Sequence, residues 1–330
     1  MIISNSYLTP PQASPQVVVI GNFDGLHRGH QALLERAAEH ANKRGLPRCV
    51  LTFDPHPSRL FGRDEPKAIY LLQDKLSLIA SLDVEATLCQ RFDHEFAALS
   101  PRAFVEEVLI KALHAQVIVV GYDFAFGHKR SGRVEDLKEL CAPFGVELDV
   151  ISQQRDEGAQ QTYSSTWVRA LIREGQLKLA EEALTRPYHL RAQVAKGYQR
   201  GRALGFPTAN LALESELCPP PGVYAGWLDW GEGPWPSVLS IGENPSFSEP
   251  HLLAHQQPWS VEVHVIDPHR GQSELDLYGR SVLLWCVAPL REMRRFTELE
   301  ALKQQISRDR DQALALLNEL PRPTWPQLPV

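Results

Sequence analysis

The chain has 330 residues, of which 43% are hydrophobic, and a net charge of −6 at pH 7. This length exceeds the ~250–300 residues at which a single hydrophobic core stops growing, so we expect two domains. The negative charge argues against a general nucleic-acid binder, and no apolar run approaches the ~18 residues of a membrane-spanning helix. Residues 1–15 lack the basic and apolar regions of a signal peptide, and the five scattered cysteines are typical of reduced thiols in a cytoplasmic protein.

The first predicted strand, residues 17–20, leads through a glycine-rich turn into a helix over residues 31–41. The turn has the sequence Gly21-Asn22-Phe23-Asp24-Gly25-Leu26-His27-Arg28-Gly29-His30. Because His27 and His30 are three residues apart, both lie on one face of the first helical turn, beside free backbone N–H groups. This arrangement, at the positive end of the helix dipole, predicts a polyphosphate site. The H-x-G-H spacing resembles that of nucleotidyltransferases that transfer AMP or CMP; the alternative is two ordinary helix-end histidines.

Strands and helices then alternate up to about residue 150. The predicted strands cover residues 49–53, 86–89, 117–120 and 146–150. The predicted helices cover residues 74–82 and 134–140, and a third begins at Ser100 as N-cap with Pro101 in the first position. The alternation predicts an α/β domain with a Rossmann-like, doubly wound parallel sheet. Such sheets bind ligands beyond the carboxyl ends of their strands.

Three further segments have the composition of binding loops. Asp54-Pro55-His56-Pro57 ends the second strand, because prolines cannot continue a ladder. Residues 121–132 combine aromatic residues, glycines and cations, as in a loop over a flat ring and its phosphates, or in a mobile surface loop. In residues 164–169, Ser165 or Thr166 can cap a helix that ends before Gly175. Arg169 then lies in the first turn and opposes the helix dipole, which indicates an anionic partner unless the side chain is simply solvated.

A short helix over residues 177–184 precedes the predicted boundary near Arg186, which gives domains of residues 1–185 and 186–330. Short apolar strands follow between glycine and proline turns, at residues 191–195, 222–230, 237–241, 259–266 and 281–287. Their spacing predicts a small antiparallel β-barrel. A terminal helix is predicted over residues 297–317, with capping-box spacing of Thr297 and Glu300. Its predicted core stripe consists of Leu299, Leu302 and Ile306.

Two polar patterns stand out in the barrel region. Residues 201–210 contain two glycines and an arginine that can wrap phosphates, namely Gly201, Arg202 and Gly205. Thr208 and Asn210 offer oxygen ligands suited to Mg²⁺ and point to one face of an extended chain, or else belong to a hairpin with incidental polar residues. Glu262 alternates with apolar neighbours in its strand, so it lies on a solvated face or acts as a general base.

At these motifs, nearly the whole chain resembles the prokaryotic bifunctional riboflavin kinase/FAD synthetase family. The N-terminal part shares residues 21–30, 54–57, 121–132 and 164–169 with the family pattern. The C-terminal part shares the flavokinase run Gly205-Phe206-Pro207-Thr208-Ala209-Asn210, residues 221–224, 241–247, 262–264 and 276–279, and the final helix. The resemblance implies phosphorylation of riboflavin to FMN by ATP in a flavokinase-like barrel. It also implies adenylylation of FMN to FAD, with release of pyrophosphate, in the N-terminal domain.

The resemblance further implies roles for individual residues. Glu262 would be the kinase base, Thr208 and Asn210 would hold Mg²⁺ and phosphates, and Gly201, Arg202 and Gly205 would contact the kinase ATP. The implied ATP site of the adenylyltransferase comprises Gly21, Asn22, Phe23, Asp24, Gly25, His27, Gly29, His30, Ser165, Thr166 and Arg169, with His27 and His30 catalytic. The implied flavin side comprises Asp54, Pro55, His56, Asp123, Phe124 and Phe126. The implied partners are riboflavin, FMN and ATP; we expect no nucleic-acid or membrane partner, and the sequence favours no particular oligomeric state.

Some positions depart from the family pattern. Ser240 and Ser246 stand where the family has asparagine and threonine, and Gln161, Thr162 and Tyr163 occupy a stretch that often holds a basic residue. The first departure bears on flavin-loop contacts and the second on the rate of adenylylation. Two other functions remain open: a single-activity nucleotidyltransferase with an inert barrel, and a flavin-binding regulator without catalysis. The presence of Thr208, Asn210 and Glu262 argues against the first, and two phosphate sites argue against the second.

Overall fold

The computed structural model describes residues 1–62, 67–156, 158, 161–195, 205–243, 259–266 and 277–326. The chain divides into two compact units. The first comprises Met1–Lys67, Leu72–Trp167 and Pro326–Val330. The second comprises Ala68–Leu71 and Val168–Trp325, so a short segment of the N-terminal half belongs to the C-terminal unit.

The first unit is built on a six-stranded sheet in the order β1-β4-β3-β2-β5-β6, with every strand pair parallel. The strands are β1 (Ile2–Ser4), β2 (Gln16–Ile20), β3 (Arg48–Asp54), β4 (Ala86–Arg91), β5 (Ala115–Gly121) and β6 (Glu147–Ile151). The helices are α1 (Arg28–Arg44), α2 (Leu72–Ala80), α3 (His94–Ala97), α4 (Pro101–Ala103) with its π-helical continuation Phe104–Ala112, and α5 (Val134–Cys141). Short 3₁₀ turns lie at Pro57–Phe61, His128–Arg130 and Ala142–Phe144.

The predicted parallel sheet is therefore confirmed, and local chemistry explains its elements. Every residue of β2 is buried, as its apolar sequence predicts. Ser100 caps α4 by accepting a hydrogen bond from the Ala103 N–H, and Pro101 occupies the first helical position, as predicted. The edge strand β1 was not predicted, because its two isoleucines are exposed and give no burial pattern.

The second unit contains a closed barrel in the order β10-β11-β8-β7-β12-β9, which confirms the predicted antiparallel barrel. Its strands are β7 (Tyr188–Ala195), β8 (Ala209–Leu213), β9 (Gly222–Asp229), β10 (Trp235–Glu243), β11 (Trp259–Val265) and β12 (Ser281–Arg291). The remaining helices are α6 (Ser165–Arg173), which begins in the first unit, α7 (Leu177–Leu184) and the terminal α8 (Leu299–Asn318).

One prediction about α8 was wrong, and another holds only in part. The helix begins at Leu299, and its N-cap residue Glu298 makes no side-chain capping bond, so the proposed capping box does not form. The predicted core stripe is confirmed in part: Leu302 and Ile306 are half-buried, whereas Leu299 is 56% exposed. The buried residues of α8 are Asp309, Ala313 and Leu317. These residues continue the side of the helix that carries Leu302 and Ile306. The buried Asp309 carboxylate accepts hydrogen bonds at 2.8–3.1 Å from the half-buried Arg291 guanidinium of β12.

Gly226 lies in β9 at a point where the barrel wall has no space for a side chain. A Cβ atom there would fall on the backbone oxygen of Trp285 and 2.7 Å from Leu239 Cδ1. Because backbone cannot yield as a flexible side chain does, we expect Gly226→Ala to destabilise the barrel by about 1–3 kcal/mol. Gly242→Ala in β10 is the matched control, because its Cβ would lie an ordinary 3.6 Å from Met293. Equal melting temperatures for the two variants, measured by circular dichroism, would contradict this expectation.

Candidate active sites

The glycine-rich turn after β2 has an unusual backbone. Phe23 and Leu26 both adopt left-handed conformations, with φ of 51° and 45°, and both are buried. Such conformations are strained for residues other than glycine and cluster at ligand sites. The Phe23 ring lies 3.1 Å from the position that a Cβ of Gly21 would take, so a side chain at position 21 would press on this ring. The backbone of this turn is therefore closely packed and held in one conformation.

The two histidines of the turn form a stacked pair. His27 is the N-cap residue of α1, His30 lies in the first turn, and their ring centroids are 3.7 Å apart with 22° between the ring planes. The prediction that both lie on one face is thus confirmed. A side chain at Gly29 would come within 3.2 Å of the His27 ring and of the Tyr163 carbonyl. No acidic residue occupies the first turn of α1, so its N-terminus keeps the positive end of the helix dipole.

The serine-rich segment of α6 contacts this turn, although not in the predicted way. Ser164 Oγ accepts the Trp167 N–H at 3.2 Å, so the capping contact comes from Ser164 and the predicted capping by Ser165 or Thr166 was wrong. Ser165 Oγ instead donates to the Asp24 carbonyl at 2.8 Å and ties α6 to the turn, while Thr166 is exposed. Arg169 was predicted in the first turn, but α6 begins at Ser165, so Arg169 is its fifth residue and lies just past the first turn, where it is buried.

The stretch before Ser164 lacks a basic residue of its own, yet cations from elsewhere in the first unit border it. Thr162 forms a β-bridge with Arg155, and its hydroxyl contacts the Gln153 amide. The Arg28 guanidinium lies 6.0 Å from the centroid of the Tyr163 ring. Arg28 is exposed and directly follows His27, so it supplies positive charge at the edge of the turn.

The predicted flavin residues divide into exposed groups and supporting groups. Asp54 and Asp123 are exposed, and Pro55 and His56 are half-buried. His56 Nδ1 accepts the Ser58 N–H at 3.3 Å and so caps the short 3₁₀ turn that follows.

Two phenylalanines stack in the other predicted flavin segment. The rings of Phe124 and Phe126 lie 5.5 Å apart. Phe126 is buried against Phe104 and exchanges two backbone hydrogen bonds with Gly132, at 3.0 and 2.9 Å. Phe126 therefore supports the loop from the core, and the half-buried Phe124 is the more accessible ring.

Sequence reasoning missed Lys75 in α2. This lysine is only 9% exposed, and its Nζ hydrogen-bonds backbone at the ends of two strands of the sheet. Burial lowers the pKa of the Lys75 ammonium, and the charges of Asp24 and Asp54 oppose that shift. The available signal was a lysine directly before the mainly apolar residues 76–80 of a predicted helix.

The barrel brings together the three polar residues predicted for the second site. Glu262 of β11 lies directly opposite Asn210 of β8, and Thr208 Oγ1 is 3.5 Å from Glu262 Oε2. Glu262 is exposed on the face opposite the buried Val261 and Val263. On its other side it pairs with Ser240 of β10. Gly205 is exposed and left-handed, with φ of 85°. Gly201, Arg202 and Ser246 lie outside the described residues.

His264 fixes the segment that carries Thr208. It lies two residues after Glu262, and its Nδ1 is 2.9 Å from the Pro207 carbonyl oxygen. The Phe206 ring meets the imidazole edge-on at 5.7 Å. Burial lowers the pKa of His264, and the Pro207 carbonyl partly opposes the shift. A neutral imidazole with its proton on Nδ1 thus anchors this segment by donating to Pro207. The sequence showed His264 beside Glu262 but gave no indication of its partner.

The first unit has a parallel sheet with a stacked histidine pair at a helix start. The second unit has a barrel with a carboxylate beside a hydroxyl and an amide. Together these features define a two-part transferase. The FAD synthetase family model matches residues 9–167, and the riboflavin kinase family model matches residues 184–317. The bifunctional riboflavin kinase/FMN adenylyltransferase of Escherichia coli K12 is 39% identical over 89% of this chain and 90% of its own. The Bacillus subtilis enzyme of the same name is 32% identical over 95% of this chain and 96% of its own.

The chain belongs to the bifunctional riboflavin kinase/FMN adenylyltransferase family, which confirms the resemblance drawn from the motifs. A crystal structure of a macrolide-efflux protein from Streptococcus pneumoniae is also similar, with 29% identity and a TM-score of 0.83. That similarity covers 95% of this chain and 98% of the other. Among the described residues, no helix combines the length and apolarity needed to cross a membrane.

Proposed function

We propose that residues 186–330 phosphorylate riboflavin with ATP to give FMN, and that residues 1–185 transfer AMP from a second ATP to FMN. The observation that carries this proposal is that the main residues of each motif set lie inside one compact unit, although Arg169 belongs to the second unit. His27, His30, Asp24 and Ser165 lie in the first unit, and Thr208, Asn210 and Glu262 lie in the second. Two separate sets of site residues favour two reactions over a nucleotidyltransferase with an inert barrel.

In the kinase reaction, the terminal ribityl hydroxyl attacks the γ-phosphorus of ATP, and the bond to the β,γ-bridging oxygen breaks to release ADP. An alcohol has a high pKa, so its proton must leave as the new bond forms. Glu262 is the group proposed to accept that proton, because it is exposed and Thr208 Oγ1 lies 3.5 Å away. His264 supports this geometry by holding Pro207, the neighbour of Thr208.

The oxygen donors of this site fit Mg²⁺. Thr208 and Asn210 supply neutral oxygens beside the Glu262 carboxylate, and Mg²⁺ is commonly held by few protein oxygens together with substrate phosphates. Across the described part of the chain, no group of three or more His, Cys, Asp and Glu side chains could hold a metal ion. On the basis of their oxygen donors we assign Mg²⁺ to Thr208 and Asn210, where it would neutralise charge on the ATP phosphates. Gly205 would approach those phosphates through its backbone.

In the adenylyl transfer, an oxygen of the FMN phosphate attacks the α-phosphorus of ATP, and pyrophosphate leaves. The attacking oxygen is already anionic, so this step needs no general base. The site must screen charge and align the two reactants. His27 and His30, with the backbone of Gly21 to Gly25 and of Gly29, are proposed to receive the triphosphate. The exposed Asp54 and Asp123 and the ring of Phe124 are proposed to border the flavin.

The remaining assignments rest on composition. All five cysteines are free and buried, which supports a reducing compartment, and we place the protein in the cytoplasm. Riboflavin, FMN and ATP are its proposed small-molecule partners. The roles of Thr166 and Arg169 in ATP binding stay predictions.

Asn210 offers the sharpest test of the metal assignment. We expect Asn210→Ala to lower riboflavin phosphorylation by about 10–100-fold, as for a lost hydrogen bond to a charged group. Its melting temperature should stay within a few degrees of the parent, since Asn210 is only half-buried. The assay follows riboflavin, FMN and FAD by chromatography with and without Mg²⁺. Kinase activity that persists without any divalent cation, or a variant that melts far below the parent, would overturn the ligand assignment.

A further inference from the structure

Lys75 links two segments of the adenylyl-transfer site. Its Nζ donates to the Phe53 carbonyl at 2.9 Å, to Thr52 Oγ1 at 3.2 Å and to the Asn22 carbonyl at 3.4 Å. Thr52 Oγ1 itself donates to the same Asn22 carbonyl at 3.0 Å. The three N–H groups of the ammonium thus meet three acceptors, in a closed network between α2, the end of β3 and the turn after β2.

The two carbonyls that Lys75 holds occupy decisive positions. Asn22 directly precedes Phe23, which has a φ of 51° and is the first left-handed residue of the nucleotide turn. Phe53 directly precedes Asp54, where the proposed flavin segment begins. A hydrogen bond made in a buried, low-dielectric place is stronger than one in water, so this ammonium resists displacement of either carbonyl.

We propose that Lys75 is a positioning residue for adenylyl transfer, fixing the nucleotide turn relative to the segment at residues 54–57. This inference rests on the proposed function, which places ATP on the turn and the flavin near Asp54. Lys75 itself is not proposed to contact ATP or FMN. It acts by keeping the attacking phosphate and the α-phosphorus aligned, and a displacement of about 1 Å at such a place can cost 10²-fold in rate.

The test compares Lys75→Met with Lys111→Met. Methionine keeps the apolar stem and removes the three donors, whereas Lys111 is 65% exposed and pairs only with Glu107 among the ion pairs of the described residues. We expect Lys75→Met to lower kcat for FAD formation from FMN and ATP by about 10–100-fold, while both KM values change by less than about threefold. Riboflavin phosphorylation should stay at the parent rate, and Lys111→Met should match the parent in both reactions.

Two further measurements separate positioning from a purely structural role. In Lys75→Ala, small primary ammonium ions such as ethylammonium should restore part of kcat, and tetramethylammonium, which donates no hydrogen bond, should not. Thr52→Val should also lower kcat. Its effect should be smaller in a double variant that also carries Lys75→Met, because both side chains hold the Asn22 carbonyl. Folded protein is quantified by circular dichroism at the assay temperature for each variant.

The possible results distinguish a failure of the Lys75 inference from a failure of the proposed nucleotide site. If Lys75→Met keeps kcat within about twofold of Lys111→Met, or loses activity only in proportion to unfolded protein, the positioning role is wrong. A rise in KM with unchanged kcat would also overturn it. If His30→Ala still makes FAD at the parent rate, the proposed nucleotide site itself fails, whatever Lys75 does. Loss of activity in His30→Ala with a normal Lys75→Met would refute the Lys75 inference alone.

Discussion

His30→Ala is expected to lower FAD synthesis from FMN and ATP by about 10²–10³-fold. As AMP is transferred, negative charge builds on the α-phosphate oxygens and on the departing pyrophosphate. A donor placed where charge develops stabilises the transition state more than the bound ground state. His30 stacks on His27 at the N-terminus of α1, so its loss should affect turnover far more than ATP affinity. A time course of riboflavin, FMN and FAD measures this effect.

The same time course contains its own control. The second unit has its own site, so riboflavin phosphorylation should continue in His30→Ala and FMN should accumulate. His94→Ala, an exposed histidine of α3, should behave like the parent. FAD formation at the parent rate in His30→Ala would remove the glycine turn as the adenylyl-transfer site. Loss of both products in folded protein would show that the two activities share one site.

Glu262→Gln is expected to lower FMN formation from riboflavin by about 10²-fold or more, in the range that loss of a general base gives. Glutamine keeps the size of the side chain and can still contact Thr208, but it cannot accept the hydroxyl proton at neutral pH. Initial rates of FMN formation at saturating ATP measure the effect.

Adenylylation of supplied FMN should persist in Glu262→Gln, because that step needs no base. Glu214→Gln, an exposed carboxylate just after β8, is the matched control for a lost charge and should keep both rates. Near-normal kinase turnover in Glu262→Gln would make Glu262 a solvated strand residue, and a different group would then have to be the base.

The sequence alone predicted most elements of both units, because that information is local, but it missed β1 and β8. Runs such as Val17 to Ile20 are short, apolar at every position and β-branched, which favours buried strands, and their alternation with helices predicts a parallel sheet. Glycines and prolines between short strands predicted the barrel. The spacing of His27 and His30, and of Thr208 and Asn210, is likewise fixed by the geometry of a helix or a strand.

Only the tertiary structure decided which partners these residues meet. The Lys75 ammonium reaches a carbonyl 53 positions away, and the His264 ring reaches one 57 positions away, so no local pattern contains either contact. Ser164 and Ser165 are chemically alike, and only the placement of the Asp24 carbonyl assigns one to capping and the other to the turn. Asp309 on the buried face of α8 likewise depends on Arg291 of β12, because a charged residue is stable inside only where a distant partner neutralises it.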